Sequence, residues 1–211
     1  MKMKAFLFFL LTFAFGAVKP AAADIVYSVN INTSSINNSL GALDFTFAGG
    51  IPTPPTGSVK IFDLVTDGFG PQFSGSAGVS LDNSPGYNDY FTPTIYGHSL
   101  AFKLSFSGQA VTNPNPNAGL SSFAFSLLDR DQNPVLVNSA NNPGGFAFTI
   151  DLGGDGKGTV TNSMNTGTVR LVGAVPEPEE YAMMLAGVAL VGFEIRRKQR
   201  RLGKNRSLYQ G

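Results

Sequence analysis

The sequence predicts an all-β fold, an antiparallel sandwich of the jelly-roll type, flanked by an apolar segment at each end of the chain. Three observations predict it. Between residues 24 and 174, apolar and polar residues alternate in short runs, which is typical of strands that bury one face. Glycine, proline, asparagine and aspartate separate these runs, and no segment there has the period of a helix. Eight or more half-buried strands without helices favour a sandwich over an α/β fold.

Each run is predicted to place its apolar residues in one shared core. The segments 51–57 and 111–117 are predicted loops because several prolines interrupt them. There is no internal repeat, so residues 24–174 are predicted to form one domain. The residues predicted to face inward are, in chain order, Ile25, Tyr27, Val29 and Ile31; Leu43, Phe45 and Phe47; Val59 and Ile61; Val79 and Leu81; Leu100, Phe102, Leu104 and Phe106; Phe123, Phe125 and Leu127; Phe146, Phe148, Ile150 and Leu152; and Val169 and Leu171.

The composition of this region excludes several classes of partner. Five cationic residues stand against ten acidic ones, all aspartate, which gives a formal charge of −5 for residues 24–174. A mildly acidic domain is a poor binder of nucleic acid and is not attracted to anionic membranes. The chain has no cysteine, which excludes disulfides, thiolate metal sites and cysteine nucleophiles. The stability must come from the core, and about 150 residues suffice to build one.

The N-terminus has the pattern of a secretory signal peptide over residues 1–23. Lys2 and Lys4 precede an apolar run over residues 5–18, and three alanines follow at 21–23, which provide the small residues that signal peptidase requires. The mature chain is therefore predicted to begin at Asp24, after export by the secretion machinery.

The C-terminal region 175–201 combines an extended segment, an apolar stretch and a basic cluster. Pro176 and Pro178 fix φ and remove two backbone donors, so the segment around them should be extended and accessible to a processing enzyme. Residues 181–193 are uncharged and mostly apolar, and they predict a short transmembrane helix of roughly 20 Å, against roughly 30 Å for a bilayer core. The basic residues predicted to stop this helix on the cytoplasmic side are Arg196, Arg197, Lys198, Arg200 and Arg201, followed by a tail over 202–211.

The order Pro176-Glu177-Pro178, short apolar helix and basic cluster resembles the PEP-CTERM sorting domain of Gram-negative bacteria. The charge of Glu194 and the length of the tail 202–211 depart from the usual pattern of that family. The resemblance implies recognition and removal of the tail by exosortase, a membrane protease. It also implies release to, or attachment at, the cell surface, and an association with exopolysaccharide in a matrix, biofilm or floc. The leading interpretation is thus an exported protein that is not an enzyme, anchored in the membrane only until it is processed.

Several constellations suggest chemistry, but none predicts a catalytic, cofactor or metal site. The glycine-rich segment 151–158 lacks the serine or threonine and the helix of a phosphate-binding loop, so it is interpreted as a hairpin turn. Its two aspartates, with Asp129 and Asp131, are too few for a Ca²⁺ site unless the fold gathers them, and they are interpreted as turn residues. The single histidine, His98, is not followed by the pattern of a nucleophile elbow and is interpreted as a surface residue.

One cluster of aromatic residues supports an alternative function. Four rings lie close together in the sequence between residues 83 and 97, and exposed rings of this kind can form a platform for sugars. A carbohydrate-binding module on the same sandwich is therefore the second interpretation, and it requires these rings to be exposed and coplanar. A secreted hydrolase is the third, and it requires a cleft that joins His98 or two aspartates to a nucleophile. The four aromatic residues are Tyr87, Tyr90, Phe91 and Tyr96.

Overall fold

The computed structural model of the protein describes residues 24–75, 77–84, 87–138, 144–175, 186–193 and 196. The chain divides into two compact units, Ala23–Val175 and the combination of Met1–Ala22 with Pro176–Gly211. The first unit contains a short 3₁₀ turn at Ser34–Ile36, a four-residue helix α1 (Gln109–Thr112) and the strands. These strands are β1 (Asp24–Asn32), β2 (Leu40–Gly49), β3 (Gly57–Thr66), β4 (Gly78–Asp82), β5 (Tyr87–Ile95), β6 (Ser99–Gly108), β7 (Ser121–Asp129), β8 (Phe148–Leu152), β9 (Gly158–Asn162) and β10 (Gly167–Val175).

The strands form two five-stranded sheets, and every pair is antiparallel. Sheet A has the order β10-β1-β6-β3-β4, and sheet B has the order β5-β2-β7-β8-β9. The prediction of an all-β fold with two antiparallel sheets is confirmed. Within sheet A, β1 pairs with both β6 and β10, so three strands far apart in sequence lie side by side.

Phenylalanines supply seven of the twelve largest fully buried side chains in the core. Strict alternation on β6 buries its four predicted apolar residues, and the residues between them face outward. Phe102 from sheet A meets Phe45 and Phe125 from sheet B edge-on, with ring centroids 5.3 and 5.0 Å apart, an arrangement that aromatic pairs favour. The fully buried phenylalanines are Phe45, Phe47, Phe102, Phe106, Phe123, Phe125 and Phe148.

The sequence pattern missed two strands, β5 and β9, which form the two edges of sheet B. β5 carries Pro93, opposite Ala42 of β2, and proline is tolerated in a strand only where its missing N–H faces no partner. β9 is short, and its residues are exposed or half-buried. Edge strands of this kind have weak apolar alternation in sequence, because they pair with only one strand and bury only part of their inward face.

The predicted inward orientation is wrong for Leu171 on β10. Its side chain is 62 % exposed although its partner across the ladder, Tyr27, is buried. β10 is an edge strand of sheet A, and its register with β1 shifts between Val26 and Tyr27. Such an irregularity twists an edge strand away from the regular sheet, which leaves both Leu171 and Val172 in solvent.

Candidate functional site

Most of the predicted sorting signal lies outside the described residues. This holds for Pro176, Glu177 and Pro178, and also for Ala23 at the predicted signal-peptidase site. Residues 186–193 are helical, as is Arg196. Among the described residues, none of the helices is both long enough and apolar enough to cross a membrane. Of the predicted basic cluster, only Arg196 is described; the residues outside the description are Arg197, Lys198, Arg200 and Arg201.

The predicted aromatic platform is not formed by the tyrosines. Tyr96 is only 3 % exposed, and the ring of Tyr90 packs inside against Phe45 and Phe73, with centroids 6.0 and 6.3 Å apart. Phe91 is 44 % exposed, because it follows Tyr90 on a strand and so faces the opposite side of sheet B. Tyr87 begins the same strand, but its side chain lies outside the description. Among the described rings of this cluster, only that of Phe91 is exposed, so Tyr90, Phe91 and Tyr96 do not form the expected flat exposed platform.

Tyr96 instead holds two strands of sheet B together from within. Its hydroxyl accepts a hydrogen bond from the backbone N–H of Leu128, at 3.0 Å. It also lies 2.8 Å from the carbonyl oxygen of Ala42 and 2.9 Å from that of Leu128, to which it can donate. Burial raises the pKa of Tyr96 far above its usual value, so the residue remains a neutral phenol. Its role is structural, and nothing in the sequence distinguishes it from an exposed tyrosine.

A shallow groove of about 570 Å³ lies on the outer face of sheet A, where β1, β6 and β10 approach the 3₁₀ turn. Its walls include Asn30 and Asn32 of β1, Thr168 of β10, and His98 with Ser99 at the start of β6. Registry brings these distant segments together, because Asn30 lies between Ala101 and Thr168 in neighbouring strands. The sequence analysis did not predict this groove.

Hydrogen bonds fix the polar walls of the groove. The side-chain oxygen of Asn32 accepts the backbone N–H of Ser34 at 3.0 Å, and the hydroxyl of Thr166 donates to the Asn32 carbonyl at 2.9 Å. The hydroxyl of Ser34 donates to the carbonyl of His98 at 3.4 Å. These bonds hold the side chains in one geometry before any ligand arrives, which lowers the entropic cost of binding.

His98 is exposed at the rim of the groove and contacts Asp67, with 3.3 Å between Nδ1 and Oδ2. Its Nε2 lies 3.1 Å from the amide nitrogen of Asn37, so a neutral ring with its proton on Nδ1 satisfies both contacts. Asp67 also accepts the backbone N–H of Ser99 at 2.8 Å and the Ser99 hydroxyl at 3.2 Å. These bonds, led by that of the Ser99 backbone, lower the pKa of Asp67 to about 2.

This cluster contains serine, histidine and aspartate, but not in the order that nucleophilic catalysis requires. The Ser99 hydroxyl donates to Asp67, whereas Nε2 of His98 faces the amide of Asn37. A catalytic histidine must instead accept the proton of the attacking hydroxyl. The cluster therefore fixes the start of β6 and does not activate a nucleophile.

Two of the four aspartates in the predicted turns, Asp129 and Asp155, bind backbone groups of their own loops. Asp129 accepts the backbone N–H groups of Asp131 and Asn133, at 2.9 and 2.8 Å, and these bonds, led by that of Asn133, lower the pKa of Asp129. Asp155 accepts the N–H of Lys157 at 3.0 Å in the turn between β8 and β9. The interpretation of segment 151–158 as a hairpin turn is confirmed. Among the described residues, no group of three or more acidic or histidine side chains could hold a metal ion.

Comparisons with known proteins give no assignment. No protein-family model matches the chain, and neither the curated proteins nor the solved structures include a match. The resemblance to the PEP-CTERM sorting domain therefore rests on the sequence of the C-terminal region.

Proposed function

We propose that this chain is an exported surface or matrix protein without enzymatic activity, sorted through its C-terminal region by exosortase. The observation that carries the proposal is the order of three features in residues 175–201: Pro176-Glu177-Pro178, an apolar stretch and a basic cluster. Each feature alone is common, but this order at a C-terminus is rare. The resemblance implies a role in exopolysaccharide, biofilm or floc formation.

The division of the chain supports this organisation. The compact β unit covers Ala23–Val175, so it ends immediately before Pro176, and its first strand begins at Asp24. These bounds agree with a signal peptide that ends at Ala23 and with a sorting signal that begins after the sandwich. Moreover, Asp24 and Val175 are direct partners in the ladder between β1 and β10. Both predicted processing points therefore lie next to the ends of two adjacent strands, β1 and β10.

We also propose that the sandwich is of the jelly-roll type. After the connection from β4 to β5, later strands pair with earlier ones in nested order: β6 with β3, β7 with β2, and β10 with β1. Successive pairs alternate between the two sheets, as a folded ribbon does when it wraps around a core. The hairpin of β8 and β9 is an insertion between the last two pairs.

The absence of enzymatic activity is supported by the arrangement at His98. This is the only histidine of the chain, and its contacts with Asp67 and Asn37 stabilise a loop. Carbohydrate binding is the second candidate function. The groove on sheet A is a better candidate for the sugar site than the aromatic segment 87–96.

The sorting proposal is tested by changing the motif and following the protein. The triple variant Pro176→Ala/Glu177→Ala/Pro178→Ala should be exported and folded but not released, because the recognition segment is lost. A chain that ends at Val175 should escape into the medium, since the apolar anchor is missing. Cell fractionation and intact mass measure both outcomes, in one host that has exosortase and in another that lacks it.

The chain offers a matched control for the motif variant. Pro114-Asn115-Pro116 has the same proline spacing in an exposed loop of the sandwich, so its triple alanine variant should be released like the wild type. The intact mass should also show a mature N-terminus at Asp24. Wild-type protein that retains Arg201 in both hosts would show that the tail is a permanent anchor, and the sorting proposal would be wrong.

A further inference from the structure

The groove on sheet A has the dimensions and the chemistry of a ligand site. We propose that it binds a neutral carbohydrate chain. Its volume of about 570 Å³ falls within the range of roughly 300–1,000 Å³ that small-molecule sites occupy. The proposal concerns the folded unit alone and is independent of how the tail is processed.

Small side chains on the outer face of the sheet create the depression. Ala101 of β6 lines the groove and lies between Asn30 on β1 and Val65 near the end of β3. Thr168 on the edge strand β10 forms the far side of the row. Among the described strands, β10 is the last of sheet A on this side, so the row of outward residues reaches the edge of that sheet.

The groove retains unused hydrogen-bonding capacity. Among the described residues, the amide nitrogen of Asn32, the side-chain oxygen of Asn30 and the hydroxyl of Thr168 make no hydrogen bond within the chain. The amide nitrogen is a donor, the amide oxygen is an acceptor, and the hydroxyl can act as either. A sugar hydroxyl is likewise donor and acceptor, so adjacent hydroxyls of a pyranose ring can pair with all three. An apolar ligand would leave these polar groups desolvated without partners, which costs binding free energy.

The charges near the groove favour a neutral polymer over an acidic one. The lining side chains are amides, hydroxyls, aliphatic groups and His98, and none is a carboxylate, lysine or arginine. The cations closest in register are Arg170 and Lys103, which lie two residues further along their strands, opposite Ser28. Lys103 is already paired with Asp63 at 3.0 Å. The formal charge of −5 over residues 24–174 adds a general repulsion of polyanions.

The groove lacks an aromatic wall, so affinity should be weak for one short chain. We expect a dissociation constant on the order of 0.1–1 mM for a neutral tetrasaccharide. Many copies on a surface or in a matrix would raise the effective affinity for a long polymer by avidity.

The test measures binding of the full chain, purified in a detergent without a sugar headgroup. Maltotetraose and cellotetraose are the neutral probes, and oligogalacturonate is the acidic one. Titration calorimetry gives the affinity, and amide chemical shifts locate the site. We expect neutral probes to bind and to shift the amides of Asn30, Asn32 and Thr168.

Two kinds of variant test the location. Ala101→Leu fills the groove from an outward position and should weaken binding at least tenfold without touching the core. Ser80→Leu is the matched control, since Ser80 is an exposed outward residue on β4 of the same sheet, and it should bind like the wild type. Thr168→Val and Asn30→Ala should each weaken binding about 2- to 10-fold, the effect of one hydrogen bond.

Three outcomes would overturn the proposal. The first is that neither neutral tetrasaccharide binds. The second is binding that Ala101→Leu leaves unchanged, or amide shifts centred on Phe91 of sheet B. The third is binding of oligogalacturonate alone with a steep salt dependence, which would assign the surface to Arg170 and Lys103. None of these outcomes affects the mass and fractionation results for the sorting signal, so the two proposals can fail separately.

Discussion

Replacing Tyr96 by phenylalanine should destabilise the sandwich strongly although it removes one oxygen atom. The ring keeps its volume, so the change creates no large cavity in the core. The hydroxyl, however, accepts the N–H of Leu128 and faces the carbonyl oxygens of Ala42 and Leu128. One donated bond contributes about 1 kcal/mol, and a buried N–H that loses its partner costs about 1–3 kcal/mol. The expected loss is therefore about 2–4 kcal/mol, a large part of the stability of a domain of this size.

Urea unfolding followed by far-ultraviolet circular dichroism measures this loss. The midpoint should fall while the slope stays constant, because the exposed surface on unfolding does not change. A loss near 3 kcal/mol should lower the melting temperature by about 6–12 °C. Tyr90→Phe is the matched control: the same atom is removed from a half-buried ring on the preceding strand. Equal midpoints for the two variants would refute the account of Tyr96 as a polar clamp between β2 and β7.

Two further predictions concern the core and the pH dependence. Phe102→Ala should lower the free energy of unfolding in urea by about 3–5 kcal/mol, because the ring of Phe102 is 1 % exposed and contacts phenylalanines of the opposite sheet. Phe91→Ala should be nearly neutral, because Phe91 is 44 % exposed on the outer face of sheet B. Similar losses for both variants would contradict the assigned orientations. The pKa of Asp67 is lowered to about 2, so its stabilising effect is complete above the unfolded value near 4 and disappears as the pH falls through about 2. Asp67→Asn should therefore melt below the wild type at pH 7 and converge with it near pH 2, and a constant difference between the two melting temperatures down to pH 2 would show that the charge of Asp67 is not responsible.

Periodicity predicted the strands that cross the middle of the sandwich. On β6 burial alternates strictly, and on β7 the predicted Phe123, Phe125 and Leu127 are buried although the small residues between them are buried too. Apolar residues are required at these inward positions because they form the core. β5 and β9 lie at the edges of sheet B, and their sequences contain Pro93 or short polar runs. A strand with only one neighbour is held by its ladder more than by its side chains, and the ladder leaves no periodic signal.

Buried polar residues were not predictable from the sequence. Asn83 lies in a segment that reads as a turn, yet it is 6 % exposed. Its side-chain oxygen accepts the N–H of Gly57 at 2.8 Å, and its nitrogen donates to Pro55 and Ser121 at 2.9 and 2.6 Å. An asparagine whose partners lie on two strands and a loop looks the same in sequence as one that faces solvent. The difference is created only by partners 26 to 38 residues away.

The groove on sheet A was missed for a related reason. Asn30, Ala101 and Thr168 stand at outward positions of three strands, where polar or small residues are ordinary. Only the register places them in one row, and register between strands this distant depends on the whole topology. Local pattern thus predicts which side of a strand faces the core, but it does not predict which outward residues become neighbours.

The pairing of β1 with β10 connects the fold to the proposed processing. Asp24 and Val175 are partners at one end of this ladder, so the first and last residues of the sandwich lie beside each other. Removal of a leader before Asp24 and of a tail after Val175 would leave every described pair of the ladder between β1 and β10 intact. A cut within β10 would instead remove partners of β1 and expose the edge of a strand that carries Tyr27 and Val29 of the core. The structure of the unit is therefore compatible with cleavage at the proline motif and would be damaged by cleavage a few residues earlier. That difference is a physical reason to expect an extended, exposed recognition segment after Val175, because Pro176 and Pro178 have no backbone N–H to donate to a ladder.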